Sequence, residues 1–510
     1  MALFRSMPLV LTAICCGAAG CGQAGTNADS SIVPVVTAAE MNSAPAADVL
    51  ASKRPGEDWP LFLGPRETGV SGETGLLDQW PVAGPPMLWN QKLGEGYAPP
   101  SVRCERVVVM HRLRDQEIVE CLHAETGESL WKYSYETDFS DPYGYNGGSR
   151  CAPILTADRC FTFGPQGKLL CLDLATGARI WENDTTKHWE IPQHFFGAGC
   201  TPILEGSMLI VLVGGQPNSG VVAFEAATGK VLWESVGKET WDGVTSDDPG
   251  GKPYRWTGEE MLVSYSSPVC ATIHGERHLL CLMRQGLVSL DPQNGNLRFR
   301  YWFRSRTHES VNAARPVVIG DQIFLSAAYE TGSALLKVNP DNQSFQVVKR
   351  DKRGMSTHWS TPIALDGHVY GFSGRHEPEA RLQCVDLATG ELKWDSNGYD
   401  EAALANLEQD PVTGKIRDKT TLKAVPFPFY GRGSKILADG KFIVLAERGT
   451  LALVKPSTEK LEEISRVQFP QMGYPSWAAP VLSRGRLYLR SESHLVCLDL
   501  QKPAGEAASR

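Results

Sequence analysis

One phrase recurs along this chain at a spacing of roughly fifty residues, and it constrains the fold more than any other feature. It reads Cys171-Leu-Asp-Leu-Ala-Thr-Gly-Ala-Arg-Ile-Trp181, then Ala223-Phe-Glu-Ala-Ala-Thr-Gly-Lys-Val-Leu-Trp233, then Cys384-Val-Asp-Leu-Ala-Thr-Gly-Glu-Leu-Lys-Trp394. Cys121-Leu-His-Ala-Glu-Thr-Gly-Glu-Ser-Leu-Trp131 is a fourth copy. Each copy holds a small residue, a turn at Thr-Gly and a Trp four residues after the Gly. Self-similarity at a fixed period marks a repeat architecture, in which one unit cannot bury its apolar face alone and stacked neighbours bury it together.

A second anchor lies upstream of each phrase. A Pro is followed by apolar residues, a short turn and a β-rich run, as in Pro153-Ile-Leu-Thr-Ala-Asp-Arg-Cys-Phe-Thr-Phe163 and Pro316-Val-Val-Ile-Gly-Asp-Gln-Ile-Phe-Leu325. Pro100, Pro202, Pro268, Pro362 and Pro480 open similar runs, and Lys435 stands in the Pro position of one further unit. This makes eight units. Each parses as four short strands, A to D, with Gly, Asp and Asn in the turns that hairpins require. Many short, evenly spaced strands with one aromatic per unit predict an all-β fold, an eight-bladed β-propeller.

The ends of the chain agree. The eighth unit stops at Cys497-Leu-Asp-Leu500, without its aromatic strand, and Pro86-Met-Leu-Trp89-Asn-Gln-Lys-Leu93 supplies one at the other end. Pairing the two closes the ring and leaves no open edge between first and last blades. Trp89, Trp131, Trp181, Trp233 and Trp394 are the expected structural tryptophans between blades. The copies also decay: Phe299, Val347 and Glu463 replace the Trp in the fourth, fifth and seventh units.

The Ala/Cys-x-Asp-x-x-Thr-Gly-x-x-x-Trp phrase resembles the tryptophan-docking repeat of the pyrroloquinoline quinone (PQQ) propeller superfamily, over roughly residues 86–500. Asp58-Trp-Pro-Leu-Phe-Leu-Gly-Pro65 resembles the lead-in of secreted bacterial members. Some members of the superfamily are quinoprotein dehydrogenases. Others, such as the outer-membrane assembly lipoprotein BamB, bind no cofactor. The resemblance implies the fold and leaves the branch open.

Composition is that of an ordinary globular chain, 42% hydrophobic and 21% charged, and the net charge of −8 gives no broad electrostatic case for nucleic acid. Arg5, the apolar stretch Met7–Ile14 and Ala18-Ala19-Gly20-Cys21 read as a signal segment ending in a lipobox, with Cys21 lipidated. The apolar stretch is too short to span a bilayer. Residues 22–57 read as a flexible tether, 58–500 as the propeller and 501–510 as a disordered tail. The expected location is the cell envelope, as a periplasm-facing lipoprotein of the outer membrane or a secreted protein. Contact with the membrane is by lipid anchor only.

Of thirteen cysteines, Cys121, Cys171, Cys384 and Cys497 share one repeat position, and Cys151 and Cys200 lie two residues before a strand-A Pro. Small hydrophobic packing accounts for them. An oxidising compartment leaves a Cys151–Cys200 disulfide open.

Chemistry is sparse by comparison. The PQQ dehydrogenases that the phrase resembles carry a vicinal Cys pair, a calcium held by Glu, Asn and Asp, and a catalytic Asp. The one Cys-Cys here, Cys15-Cys16, lies in the signal segment, and there is no Cys-x-x-Cys-His for haem. No catalytic or metal residue is assigned, and no cofactor is expected; PQQ with calcium is the alternative. What can bind is the face where loops entering strand A meet loops joining B to C. Its candidates are Arg150, His194, His308, Asn312, Arg315, Trp359, Arg375, Arg432 and Trp477, with Glu309, Glu330 and Glu447 placed to pair with the arginines. Two long insertions, residues 234–262 and 395–429, interrupt the rhythm, the second with a helix expected from Glu401 to Gln409. The reading this favours is a non-enzymatic, envelope-tethered scaffold that presents interaction surfaces to other envelope proteins. A quinoprotein oxidoreductase and a small-molecule binder at the channel mouth are the alternatives.

Overall fold

The computed structural model describes residues 52–191, 196–244, 264–307, 310–399, 404–410, 415–425 and 428–502. Eight four-stranded antiparallel sheets follow one another around a ring. The first blade is built from Ser101–Arg103, Arg106–Leu113, Gln116–His123 and Ser129–Glu136. The next six occupy residues 154–184, 203–235, 269–302, 317–351, 363–396 and 434–468. The eighth combines Val481–Ser483, Arg486–Arg490 and His494–Asp499 with the N-terminal strand Met87–Lys92, which pairs antiparallel to His494–Asp499 with Trp89 opposite Cys497. The expected closure is therefore present, and blade count and closing strand match the sequence expectation. Among the described residues no helix is long and apolar enough to cross a membrane.

The repeated phrase owes its residues to a docking contact. In strand C the small residue faces the aromatic of strand D: Cys121 opposite Trp131, Cys171 opposite Trp181, Ala223 opposite Trp233 and Cys384 opposite Trp394. A register shift follows that pair in each of these four blades. Bulges of this kind raise the local twist. The indole N–H then donates to a carbonyl of the following blade: Trp89 to Ala124, Trp131 to Leu174, Trp181 to Ala226, Trp233 to Pro292 and Trp394 to Ser457, at 2.9–3.1 Å. In the first four contacts the ring lies against the Gly of the next blade's turn. A Cβ on Gly127, Gly177, Gly229 or Gly295 would sit 2.5–2.7 Å from the facing Trp. These glycines also hold φ near +74°, so both space and backbone demand Gly. The Asp of the phrase fastens the same turn: Asp173 Oδ1 accepts from the Thr176 amide at 2.8 Å and from its hydroxyl at 2.7 Å. Trp89, Trp131 and Trp181 are buried, whereas Trp233 and Trp394 are only half-buried. For those two the expectation of full burial is corrected: strand D is the outer strand of its blade, and at these two positions the docking contact covers only part of the indole.

The lead-in segment does more than precede the ring. Trp59 exchanges backbone hydrogen bonds with Val102, Pro60 accepts from Leu155, Gly69 from Leu437, and Glu73 caps the Arg484 and Gly485 amides. These partners lie at the far ends of the A strands or in A–B turns of blades 1, 2, 7 and 8. The segment thus crosses the end of the channel opposite the loops that enter strand A.

Of the two insertions, residues 238–241 form a short 3-10 turn whose Trp241 is fully buried against Trp302; residues 245–263 lie outside the described residues. In the second, Leu407–Gln409 is a strand paired with Ile416–Asp418. Of the helix expected from Glu401 to Gln409, Leu404 and Ala405 are helical, but Leu407–Gln409 is corrected to strand, since cross-strand pairing engages the backbone that a helix would need; residues 401–403 lie outside the described residues.

Cys151 and Cys200 are free thiols. Cys151 Sγ lies 3.3 Å from the carbonyl oxygen of Cys200, and Cys200 Sγ lies 2.8 Å from that of Ser264. Both are spent on backbone rather than on each other.

Candidate functional site: a blind well at the channel mouth

The loops that enter strand A converge on a cavity of about 450 Å³. Phe62 and Leu63 of the lead-in segment form its floor, so it is a well and not a pore. Its wall is largely aromatic, with Tyr97, Phe196, Tyr265, Tyr329, Trp359 and Trp477. Tyr143 and Tyr145 stand at the rim, 47% and 41% exposed. Concave, mostly apolar sites with a few placed polar groups are where ligands and inserted side chains bind.

Five of the candidates line this well: Arg150, Trp359, Arg375, Arg432 and Trp477. Arg432 is the centre of one wall. It is clamped by Glu447, whose Oε1 also accepts from Trp477 Nε1 at 2.8 Å, and its guanidinium lies 4.8 Å from the Trp359 ring centre and 5.5 Å from that of Trp477. Glu447 is fully buried, so it pairs with an arginine as expected and is not available as a metal ligand. Arg150 is likewise neutralised, by Asp141 at 2.7 Å, and lies over Tyr97. Both arginines act as rigid pillars for aromatic rings. Arg375 differs. Its guanidinium stacks 4.3 Å from the Tyr329 ring centre, and among the described residues it makes no ion pair.

Asn312 and Arg315 do not serve the well. The Asn312 amide donates to the carbonyls of Met283 and Phe303 at 2.9 and 3.0 Å. Arg315 reaches the opposite end of the channel, donating to the Glu67 carbonyl at 2.8 Å and pairing with its carboxylate at 3.3 Å. Both are corrected to structural roles: buried backbone carbonyls need donors, and these side chains supply them. His194, His308, Glu309 and Cys21 lie outside the described residues. Glu330 is exposed in a turn of positive φ and is not in the well.

His358 and Lys435 also line the well and were not among the candidates. His358 is half-buried; desolvation, with the positive charges of the nearby Arg432 and Arg375, pushes its pKa down to about 3, so it is neutral. Its Nε2 bonds Tyr329 Oη at 3.2 Å and its Nδ1 has no partner. Lys435 also lines the well, 2% exposed, and its Nζ has no hydrogen-bond partner. The signal for Lys435 was its place in the repeat, where every sister unit has Pro.

A calcium-bound quinone is the cofactor that dehydrogenases of similar fold would suggest. The described residues do not fit a calcium cage: Asn312 and Glu447 are committed elsewhere, and no group of three His, Cys, Asp or Glu side chains is placed to hold a metal ion.

The family model described as outer membrane protein assembly factor BamB matches residues 114–396, more than half of the chain. A quinohemoprotein alcohol dehydrogenase of Comamonas testosteroni is 20% identical over 334 residues, 56% of this chain. The chain spans only 45% of that protein's length. The crystal structure of the same enzyme superposes with a TM-score of 0.55 at 13% identity, covering 88% of this chain and 81% of the enzyme. BamB of Moraxella catarrhalis gives a TM-score of 0.50 at 14% identity, covering 82% of this chain and 98% of BamB. At these identities the two structures share the propeller fold.

Proposed function

We propose that this chain, which belongs to the family of the outer membrane protein assembly factor BamB, is a non-catalytic binding propeller of the bacterial cell envelope. It is tethered through Cys21 and engages another envelope protein with the mouth of its well. The observation that carries this reading is the composition of the rim. Tyr143, Tyr145 and Tyr474 are 41–49% exposed there, although aromatic rings of this size are normally withdrawn from water. They form one connected patch: Tyr143 packs on Phe196, while Tyr145 and Tyr474 both pack edge-on against Trp477. Arg448, held by Glu377 at 2.6 Å, stacks on Tyr474 at 4.9 Å. Exposed Tyr beside half-buried Trp and oriented Arg is the make-up of a protein-interaction hot spot, and the blind well behind it can receive an inserted side chain.

Envelope location rests on family membership and on the Arg5–Cys21 segment of the sequence. A photo-crosslinking residue at Tyr474 in living cells tests the reading, with Leu232 on an outer strand as the control. A discrete adduct from position 474 and none from 232 is expected. Equal patterns from both positions would contradict a rim-centred interface.

A further inference from the structure

We propose that the boundary between the fifth and sixth blades is a binding site for small indoles, a docking socket that this chain fills with its own indole at five sister boundaries. The site is separate from the well and its rim, and it goes beyond partner binding.

Register puts Lys349 in the tryptophan position of the fifth blade. It pairs with Leu335 and the register shift follows at once, as it follows the Cys121–Trp131 pair of the first blade. The carbonyl that a docking group reaches belongs to a residue whose own amide donates into the A–B turn of its blade. Leu174, Val338, Leu387 and Leu500 share that place, with amides bonded to Asp158, Asp321, Gly367 and Gly485. Leu174 receives the Trp131 indole at 3.1 Å, Val338 receives His274 Nε2 at 3.0 Å and Leu500 the Leu77 amide at 2.8 Å. The Leu387 carbonyl is the exception: among the described residues no group donates to it. Lys349 Nζ donates to the Thr389 carbonyl instead.

Lys349 also leaves space that a tryptophan would take. Its stem lies across Gly390, where a Cβ would sit 2.3–2.6 Å from its last three atoms, whereas Gly127, Gly177, Gly229 and Gly295 each receive a flat ring. A thin stem in place of a fused ring leaves a cavity of about 210 Å³ here. Phe324, Leu335, Met355 and Leu387 supply its apolar lining beside Gly390. Sites for drug-sized ligands start near about 300 Å³, so this one suits a single fused ring. Leu392, which lines the cavity, is 47% exposed, and Lys349 is half-buried, so a ligand enters from solvent.

The recognition chemistry is that of the repeat. The ligand ring lies against Gly390 and its N–H donates to the Leu387 carbonyl. Lys349, moved outward on its flexible stem, sets its ammonium over the ring face. A ring of the same shape without N–H leaves that carbonyl unpaired and binds less well.

The test irradiates the full chain with 5-azidoindole and maps the labelled peptides. Adducts are expected within residues 345–351 or 381–392, and not within 168–181, where Trp131 fills the corresponding socket. Excess indole should suppress them; excess benzofuran, of the same shape without N–H, should not. Lys349→Trp, which supplies the chain's own ring, should abolish them. No adduct, adducts only in the well or evenly at all blade boundaries, or adducts that benzofuran suppresses as well as indole does, would overturn the proposal. So would an adduct that persists in folded Lys349→Trp. The wild-type map and its two competitors decide the matter without the variant, and an adduct from position 474 in the crosslinking experiment is independent of either result.

Discussion

The indole N–H of Trp131 donates to the carbonyl of Leu174 at 3.1 Å, across the boundary between the first and second blades. A Cβ on Gly177 would lie 2.5 Å from the same indole. One side chain therefore joins two sheets that share no strand. Trp131→Ala is expected to cost about 3–5 kcal/mol, measured by urea unfolding. Trp233→Ala, at a half-buried site, should cost less. Gly177→Ala should cost at least ~1 kcal/mol, because the turn needs positive φ as well as space. Equal stability of wild type and Trp131→Ala would refute the docking account.

Ring closure gives a second expectation. Removing residues 1–57 leaves the strand Met87–Lys92 in place, whereas removing 1–93 takes it away and opens the eighth blade. The longer truncation should lose most of the cooperative unfolding transition, and the shorter one little. Similar melting of the two truncations would show that the N-terminal strand does not close the ring.

The floor of the well depends on Arg315. Its guanidinium is buried and bound to Glu67 and to the carbonyls of Phe62 and Pro268. Arg315→Met leaves those oxygens without a donor and should destabilise by about 2–4 kcal/mol. Amide exchange should quicken around residues 60–70 before the blades open. Uniform exchange across the ring would argue against a separately fastened floor.

Lys435 makes stability depend on pH with a definite sign. Burial brings its pKa down to about 7 from an ordinary 10.5. Between these values the unfolded chain holds a proton that the folded chain has released, so stability rises with pH across the window. Below pH 7 both states are protonated and the cost of the buried charge is fully present. Lys435→Met should therefore be more stable than wild type at pH 7, by on the order of 2–4 kcal/mol. The gap should narrow toward pH 10. A gap that stayed constant with pH would mean that Lys435 does not titrate in this range.

The blades were legible because each repeats the same contact: a Trp, the small residue opposite it and the Gly that receives the ring recur in step, and periodicity exposes them. The floor was not legible. Trp59, Phe62 and Glu67 appear once each, and Arg315 meets Glu67 across 248 residues of sequence. No local pattern records such a pairing. Arg432 and Trp477 were found because polar and aromatic residues in strand-A entry loops point toward the axis. Asn312 and Arg315 satisfied the same rule and failed it, since buried carbonyls compete for donors and the sequence does not show where those carbonyls lie. Lys435 was visible as a break in the Pro pattern, but its consequence depends on burial, which periodicity does not report.

Binding of another envelope protein by the aromatic rim, as proposed, can be read by native mass spectrometry of the protein released gently from cell envelopes. Wild type is expected in a discrete heteromeric complex. A variant carrying Tyr143→Ala, Tyr145→Ala and Tyr474→Ala should run as the free chain with its melting temperature nearly unchanged, since all three rings are already exposed. The same complex in the triple variant, or free chain in both, would contradict it.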